Sequence, residues 1–183
     1  MINFVNSYRR YVLDLEQINY AALSSPGQFI ENIEKSFKKE ISGAANYILN
    51  SSDNCRVVML SGPSSSGKTT TANMISKELA KLGVQSTVIS LDDFYLGHED
   101  LKTSIEDDNK YDYETITALD INQIKECIAS LLEKGCCEKP TYNFEKMKPE
   151  DFKTPINLNE NGIAIIEGIH ALNPVFTEHI NST

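Results

Sequence analysis

The 183-residue chain carries 26 acidic against 17 basic side chains, a net charge of −9, with 40% hydrophobic and 23% charged residues. This is the composition of one globular domain with a proper core, and its acidity excludes a nucleic-acid surface, which needs a concentrated basic face. No apolar run reaches the roughly 18 to 20 residues of a membrane span and the N-terminus lacks a signal-peptide layout, so a cytoplasmic protein without membrane partners is expected. Cys55, Cys127, Cys136 and Cys137 show no CxxC spacing and the adjacent pair cannot easily bridge itself, so reduced thiols are expected.

From the N-terminus, Phe4, Val5, Tyr8, Val12, Leu15 and Ile18 recur at loosely helical spacing and predict a helix within residues 1–23. A second helix is expected to start with Ser25 as N-cap and Pro26 at its first position, and to carry Phe29, Ile33, Phe37, Ile41, Ala45 and Ile48 along one face. Such a stripe packs against the core or against a partner subunit. Ser51 to Asn54 then read as a linker, which divides the chain into a helical region, 1–54, and a core, 55–183.

The core opens with Val57–Leu60, a short apolar, β-branched run that reads as a buried parallel strand, followed by Gly62-Pro-Ser-Ser-Ser-Gly67-Lys68-Thr69. This is a complete GxxxxGK[ST] phosphate loop. Its glycines permit backbone conformations that let consecutive N–H groups turn inward as an anion nest at a helix N-terminus. Lys68 adds a mobile positive charge, and Thr69 offers the hard oxygen that a phosphate-bound Mg²⁺ needs. Ala72, Ile75, Leu79 and Leu82 continue the helix to a stop at Gly83.

Ser86 to Leu91 is a second β-rich run and ends at Asp92-Asp93-Phe94-Tyr95. Ligands of a doubly wound sheet sit beyond the carboxyl ends of its strands, so these acids either face the phosphate loop or merely cap a turn. The polar, acidic stretch from His98 to Asn109 is expected to be a mobile loop. Tyr111-Asp112-Tyr113-Glu114 pairs aromatics with acids, as a nucleoside site or a loop anchor does. Asp120 is expected to N-cap a helix with Gln123 three residues on, its apolar face running from Ile121 to Leu132 and ending at Gly135. Tyr142 and Phe144 lie in an extended segment, facing core or ligand, and Glu145 to Lys153 form a charged turn. Gly162 to Gly168 is the third buried strand, and Glu167 at its end is placed to hold a metal's water shell.

Taken together, GPSSSGKTT at 62–70, SLDDFY at 90–95, YDYE at 111–114, ALD at 118–120, PTYNF at 140–144 and IIEGIHALNP at 165–174 resemble the uridine kinase and phosphoribulokinase family of P-loop kinases. The EGIHALNP form is most similar to a uridine kinase-like branch with an extra N-terminal region. The resemblance implies an α/β, P-loop NTPase-type parallel sheet with flanking helices, incomplete here, plus the N-terminal helices. It implies ATP and Mg²⁺ as cofactors and a nucleoside as the small-molecule substrate, phosphorylated at its 5′-hydroxyl. On this pattern Gly62, Ser64, Ser65, Ser66, Gly67, Lys68, Thr69 and Thr70 hold the phosphates, with Lys68 also catalytic. Asp92 is the general base and a metal neighbour, Thr69 and Glu167 serve the Mg²⁺, and Asp112, Tyr142 and Tyr95 line the nucleoside pocket.

Two departures from the family pattern stand out. Uridine kinases place a base-reading histidine three residues after the phenylalanine of PxYxF, where this chain has Met147, whose thioether replaces neither the donor nor the acceptor of an imidazole. The family also continues into further strands and an arginine-bearing lid, whereas this chain ends at Thr183, so little or no turnover is expected from these 183 residues. The alternatives are a nucleotide-binding module without turnover and a kinase acting on another small alcohol. With three convincing strands, one flank of the sheet is expected to be open, and either the N-terminal helices cover it or two copies associate there as a homo-oligomer burying Phe29 to Ile48.

Overall fold

The computed structural model describes residues 15–51, 55–101, 103–104 and 107–178. The first half of the expected N-terminal helix, from Phe4 to Val12, and the linker residues Ser52, Asp53 and Asn54 lie outside the described residues. Helix α1 spans Leu15–Ser24 and α2 spans Pro26–Asn50. Ser25 stands between them at φ −153° and makes no side-chain cap, contrary to the capping expectation. The reason is that the backbone hardly breaks there: Ser25 N–H donates to Ala21 O, and Phe29 N–H to Ser25 O, both at 3.0 Å. The cap position is a kink, made where Pro26 has no N–H to give.

Three parallel strands, β1 (Val57–Leu60), β2 (Ser86–Ser90) and β9 (Ile163–Glu167), form a sheet in the order β1-β9-β2. The last strand in the chain is thus the central one, and all five of its residues are buried. Its side chains alternate between the two faces, as the two-residue period of a strand requires. Ile163 and Ile165 join Ile75 and Leu79 of α3 (Lys68–Lys81) and Ile41 and Ala45 of α2. Ala164 and Ile166 point the other way, into Ile124, Ile128 and Leu131 of α4 (Ile121–Lys134) and Phe176 of α5 (Pro174–Thr177). Both faces of the sheet are therefore covered, and what is open is the outer edge of β1 and of β2 among the described residues.

Helix α4 begins and ends as read from the sequence: the Asp120 carboxylate accepts from Gln123 N–H at 3.0 Å, and Gly135 takes the left-handed conformation at φ 72°. Outside the main sheet the backbone departs from expectation. The segment expected as a mobile loop contains an antiparallel pair, β3 (Thr103–Ser104) with β4 (Asp107–Tyr111). Two further pairs join β5 (Cys136–Lys139) to β8 (Thr154–Asn157) and β6 (Tyr142–Asn143) to β7 (Lys148–Pro149). These ribbons are held by main-chain bonds, and strands of two to five residues of mixed polarity are too short to show a clean period in the sequence.

The thiol expectation also changes. Cys127 on α4 and Cys137 on β5 form a disulfide, with Cα atoms 5.2 Å apart, while Cys55 and Cys136 remain free. The left-handed turn at Gly135 folds the strand back along the helix and brings together two cysteines that share no motif spacing. The apolar stripe of α2 is divided as well. Ile41 and Ala45 are buried on α3 within the same chain, so the expectation that the whole stripe from Phe29 to Ile48 meets a second copy does not hold for its C-terminal half.

Candidate active site

The parallel register aligns the carboxyl ends of the three strands: Leu60 of β1 and Ser90 of β2 both pair with Glu167 of β9. Everything at the site hangs from this edge. After β1 the chain enters the loop at Gly62, and Gly67 adopts φ 83° immediately before α3 starts at Lys68. Ser65 also has positive φ, 58°, a conformation that costs a non-glycine residue energy and that curls successive N–H groups toward one centre. Ser64, Ser65, Ser66, Gly67 and Thr70 are exposed, so the concave face of the loop opens outward. Lys68 Nζ lies back over the loop and donates to Pro63 O at 3.0 Å. That carbonyl also accepts from Ser66 N–H, which closes the turn.

Thr69, on the first turn of α3, donates its hydroxyl proton to Glu167 Oε1 at 3.0 Å. Glu167 is the sole buried charged residue among the described residues, 2% exposed. A buried carboxylate is costly unless paired, and here its partner is the hydroxyl expected beside the metal. The loops that follow β9 and β2 touch closely at this level: a Cβ on Gly168 would come within 2.8 Å of Leu91 Cβ. Ser61 Oγ donates to Ile169 O at 2.8 Å and ties the phosphate loop to the same corner.

Asp92 sits in a 3-10 turn, Leu91–Phe94, at the end of β2, where Ser90 Oγ accepts from Asp92 N–H. The residue is solvent-facing overall, yet its carboxyl group is held above the ordinary aspartate range, first by desolvation and then by the charges of Glu167 and Asp93, with Lys68 opposing. Asp92, Glu167 and Lys68 are thus brought within electrostatic reach of one another. Asp93 points elsewhere and forms a half-buried ion pair with Lys139 of β5. Of the two adjacent acids, one is engaged in the scaffold and the other faces the loop.

The remaining sequence candidates cluster beside Asp92. Tyr95 stacks edge-on against Tyr113 and Tyr142, with ring centroids 5.6 Å apart in both cases, and Phe144 meets Tyr142 at 5.0 Å. Tyr95 and Tyr142 are both pushed up to about 12 by burial, so both stay protonated at neutral pH. The Tyr95 hydroxyl donates to Tyr113 O, and the hydroxyls of Tyr113 and Tyr142 are both buried and interact with each other. Asp112 is exposed, and its Oδ1 accepts from Glu114 N–H at 2.9 Å. It sits at the rim of this cluster and builds a turn.

Three residues that the family pattern assigned no role now have places. Tyr113 belongs to the aromatic cluster, a role hinted at by the alternation of aromatics and acids in YDYE. His170, in the loop after β9, bonds through Nε2 to Glu114 O at 2.7 Å and latches that segment to the strand edge. Lys139 had no local signal, because its partner Asp93 is 46 residues away.

Chemically, this edge combines an anion nest, a lysine, a hydroxyl, two carboxylates and an aromatic cluster. The donor set suits Mg²⁺, which takes hard oxygens from one or two side chains and completes its shell with phosphate oxygens and water. Thr69 and Glu167, already in contact, would hold it, with Asp92 beside them.

The chain is 34% identical over 119 residues to a uridine kinase of Saccharomyces cerevisiae, covering 63% of this chain and 23% of that protein. It is 32% identical over 123 residues to a uridine kinase of Aliivibrio salmonicida, covering 66% of this chain and 55% of the relative. The chain thus spans about a quarter and about half the length of these two relatives. The structure of a possible uridine kinase from Bacillus stearothermophilus superposes with a TM-score of 0.66 at 21% identity, over 78% of this chain and 77% of that one. A putative fructose transport system kinase from Silicibacter gives 0.59 at 18% identity, over 77% and 69%, and at such identities both structures speak for the fold alone. Residues 57–181 match the family described as phosphoribulokinase / uridine kinase, from the first strand of the sheet to beyond α5, and the chain belongs to that family.

Proposed function

We propose that the protein transfers the terminal phosphoryl group of ATP to the 5′-hydroxyl of a nucleoside, with residues 55–183 carrying the site and the C-terminal half of α2 packed behind α3. The observation that carries this reading is the convergence, on one sheet edge, of the loop from Gly62 to Thr70, the Thr69 to Glu167 contact and the carboxylate of Asp92. The backbone N–H groups of the loop bind phosphate oxygens, and Lys68 leaves Pro63 O to follow the charge. When bound, ATP supplies the phosphoryl group and Mg²⁺ the positive charge that offsets it. Thr69 and Glu167 orient that charge. Asp92 accepts the proton of the attacking hydroxyl, and its raised pKa makes it a stronger base than a free aspartate. Tyr95, Tyr142 and Asp112 form the acceptor side, where apolar ring faces cover a planar base and Asp112 meets ribose hydroxyls.

Met147 favours a second reading, in which the acceptor is another small alcohol. It lies in the turn between β6 and β7, and it has neither the donor nor the acceptor with which an imidazole would read a pyrimidine edge. A third reading, a nucleotide-binding module without turnover, keeps the phosphate site and drops the chemistry. A transfer assay on this chain and on a longer natural version, with labelled ATP and uridine, cytidine, purine nucleosides, other small alcohols or no acceptor, separates the three. Labelled nucleoside monophosphate supports the first, labelled product from another alcohol the second, and ATP binding without any product the third.

A further inference from the structure

The chain after β9 makes two tight turns before α5. Ala171 N–H donates to Gly168 O at 3.2 Å and Asn173 N–H to His170 O at 2.8 Å, while Asn173 Oδ1 caps α5 by accepting from Val175 N–H. Gly168 N–H donates to Leu60 O, and Ser61 Oγ to Ile169 O, so this corner is fastened to the end of β1 and to the residue before the phosphate loop. Gly168 and Ala171 are buried. His170 therefore projects from a stiff piece of backbone whose place is set by the phosphate side of the site.

Across from it, Asp112 to Thr115 belong to neither helix nor strand. Two contacts hold this turn on its own side: Asp112 Oδ1 accepts from Glu114 N–H, and Tyr113 O accepts from the Tyr95 hydroxyl. A third crosses to the corner, where Glu114 O accepts from His170 Nε2 at 2.7 Å. A carbonyl oxygen only accepts, so the ring carries its proton on Nε2, and the imidazolium keeps it there too. The charges of Asp92 and Glu114 both reach the Tyr95 hydroxyl, which sets the turn beside the acceptor pocket.

We propose that His170 is a positioning residue: its Nε2–H, held on the corner after β9, fixes the turn Asp112–Glu114 at a set distance from the phosphate loop and so presents Asp112 to the acceptor. This rests on the reading of the edge as a kinase site whose acceptor side is Tyr95, Tyr142 and Asp112. Without the bond, the acceptor itself must order the turn, and that cost falls on acceptor affinity and not on the transfer step.

Steady-state kinetics on the longer natural version test this, with uridine as acceptor or, where uridine is not phosphorylated, the small alcohol that is. His170→Ala is expected to raise the acceptor KM about three- to tenfold, the range of one neutral hydrogen bond, with kcat and the KM for ATP within about twofold of wild type. A glutamine amide nitrogen reaches about the place of Nε2, whereas that of asparagine stops at about the place of Nδ1. His170→Gln should therefore restore the acceptor KM and His170→Asn should not. Amide hydrogen exchange at residues 112–115 of the 183-residue chain should quicken at least about threefold in His170→Ala and return toward wild type in His170→Gln.

A fall in kcat at unchanged acceptor KM would place His170 in the transfer step and overturn the proposal. Equal weakening toward ATP and acceptor, or a glutamine variant no better than the alanine one, would overturn it as well. Should His170→Ala fail to fold, the contrast between His170→Gln and His170→Asn decides in the same way. If the wild-type enzyme phosphorylates no acceptor, the kinase reading falls and exchange decides on the latch: faster exchange in His170→Asn, restored in His170→Gln, supports it, and equal exchange in both overturns it.

Discussion

Thr69 Oγ1 donates to Glu167 Oε1 across 98 residues of sequence, at 3.0 Å, and so joins the phosphate loop to the end of the central strand. If this pair is also the seat of Mg²⁺, its loss should be visible as a loss of metal dependence. Thr69→Ala is expected to weaken ATP binding at least about tenfold when Mg²⁺ is present and hardly at all in its absence, since one oxygen ligand is removed. Paired calorimetric titrations with and without Mg²⁺ read this directly. Equal weakening in both would assign Thr69 to the fold instead.

Asp92 and Asp93 are neighbours with different obligations, one near Lys68 and Glu167, the other paired with Lys139. In the full-length enzyme, Asp92→Asn is expected to lower kcat by roughly a hundredfold or more while leaving ATP affinity largely intact, the usual range for a positioned base. Asp93→Asn should instead cost roughly 1 to 3 kcal/mol of stability, because a charged hydrogen bond is lost and Lys139 is left half-buried without its partner. Denaturant unfolding of both variants beside their turnover gives the contrast. A silent Asp92→Asn with a catalytically dead Asp93→Asn would reverse the assignment.

The raised pKa of Asp92 also fixes a pH dependence. The folded chain binds this proton more tightly than the unfolded chain, so the ionised carboxylate is destabilising above the folded pKa, and that cost disappears as pH falls toward the ordinary aspartate value. Asp92→Asn should therefore raise the melting temperature at neutral pH, with the gain shrinking to nothing below the ordinary aspartate range. Melting curves across the acid range check this, and a wild-type chain more stable than the variant at neutral pH would contradict it.

Met147 adopts φ 53°, and its carbonyl accepts from His98 N–H at 3.1 Å, so the turn it makes is in use. A left-handed conformation costs a side-chain-bearing residue about 1 to 2 kcal/mol, while glycine in the same place loses part of that gain through its freer unfolded chain. Met147→Gly is expected to be neutral or more stable by up to about 1 kcal/mol, and the β-branched Met147→Val less stable, by urea unfolding. Strong destabilisation by glycine would show that the thioether packs in a way its backbone does not reveal.

The parts of this molecule legible in the sequence are those where local chemistry and tertiary position coincide. Val57–Leu60, Gly67 and Lys68 announce strand, turn and helix within a dozen residues, and the structure has them as read. Glu167 was legible for the same reason, an acid directly after a fully buried run. The ribbon of β5 with β8 was not, because each strand of four residues turns only one apolar side chain, Cys137 or Ile156, into the core, and one such residue among polar neighbours gives no period to read. The Cys127 to Cys137 disulfide, the Lys139 to Asp93 ion pair and the His170 latch on Glu114 are likewise products of folding. Each joins residues whose local sequence says nothing about the other. The covered half of α2 shows the limit of a periodic stripe, which states that a face is apolar and leaves open whether the chain itself or something else covers it.

If the sheet edge built from β1, β2 and β9 is a Mg²⁺-dependent ATP site organised by the loop from Gly62 to Thr70, tight ATP binding requires that loop's lysine. Titration calorimetry of ATP with Mg²⁺ into the wild-type chain and into Lys68→Ala tests it most directly. Saturable binding to the wild-type chain, abolished or cut severely by removing the one lysine that reaches over the loop, is the expected result. Equal affinity in the two proteins, or no binding to either, would contradict the claim.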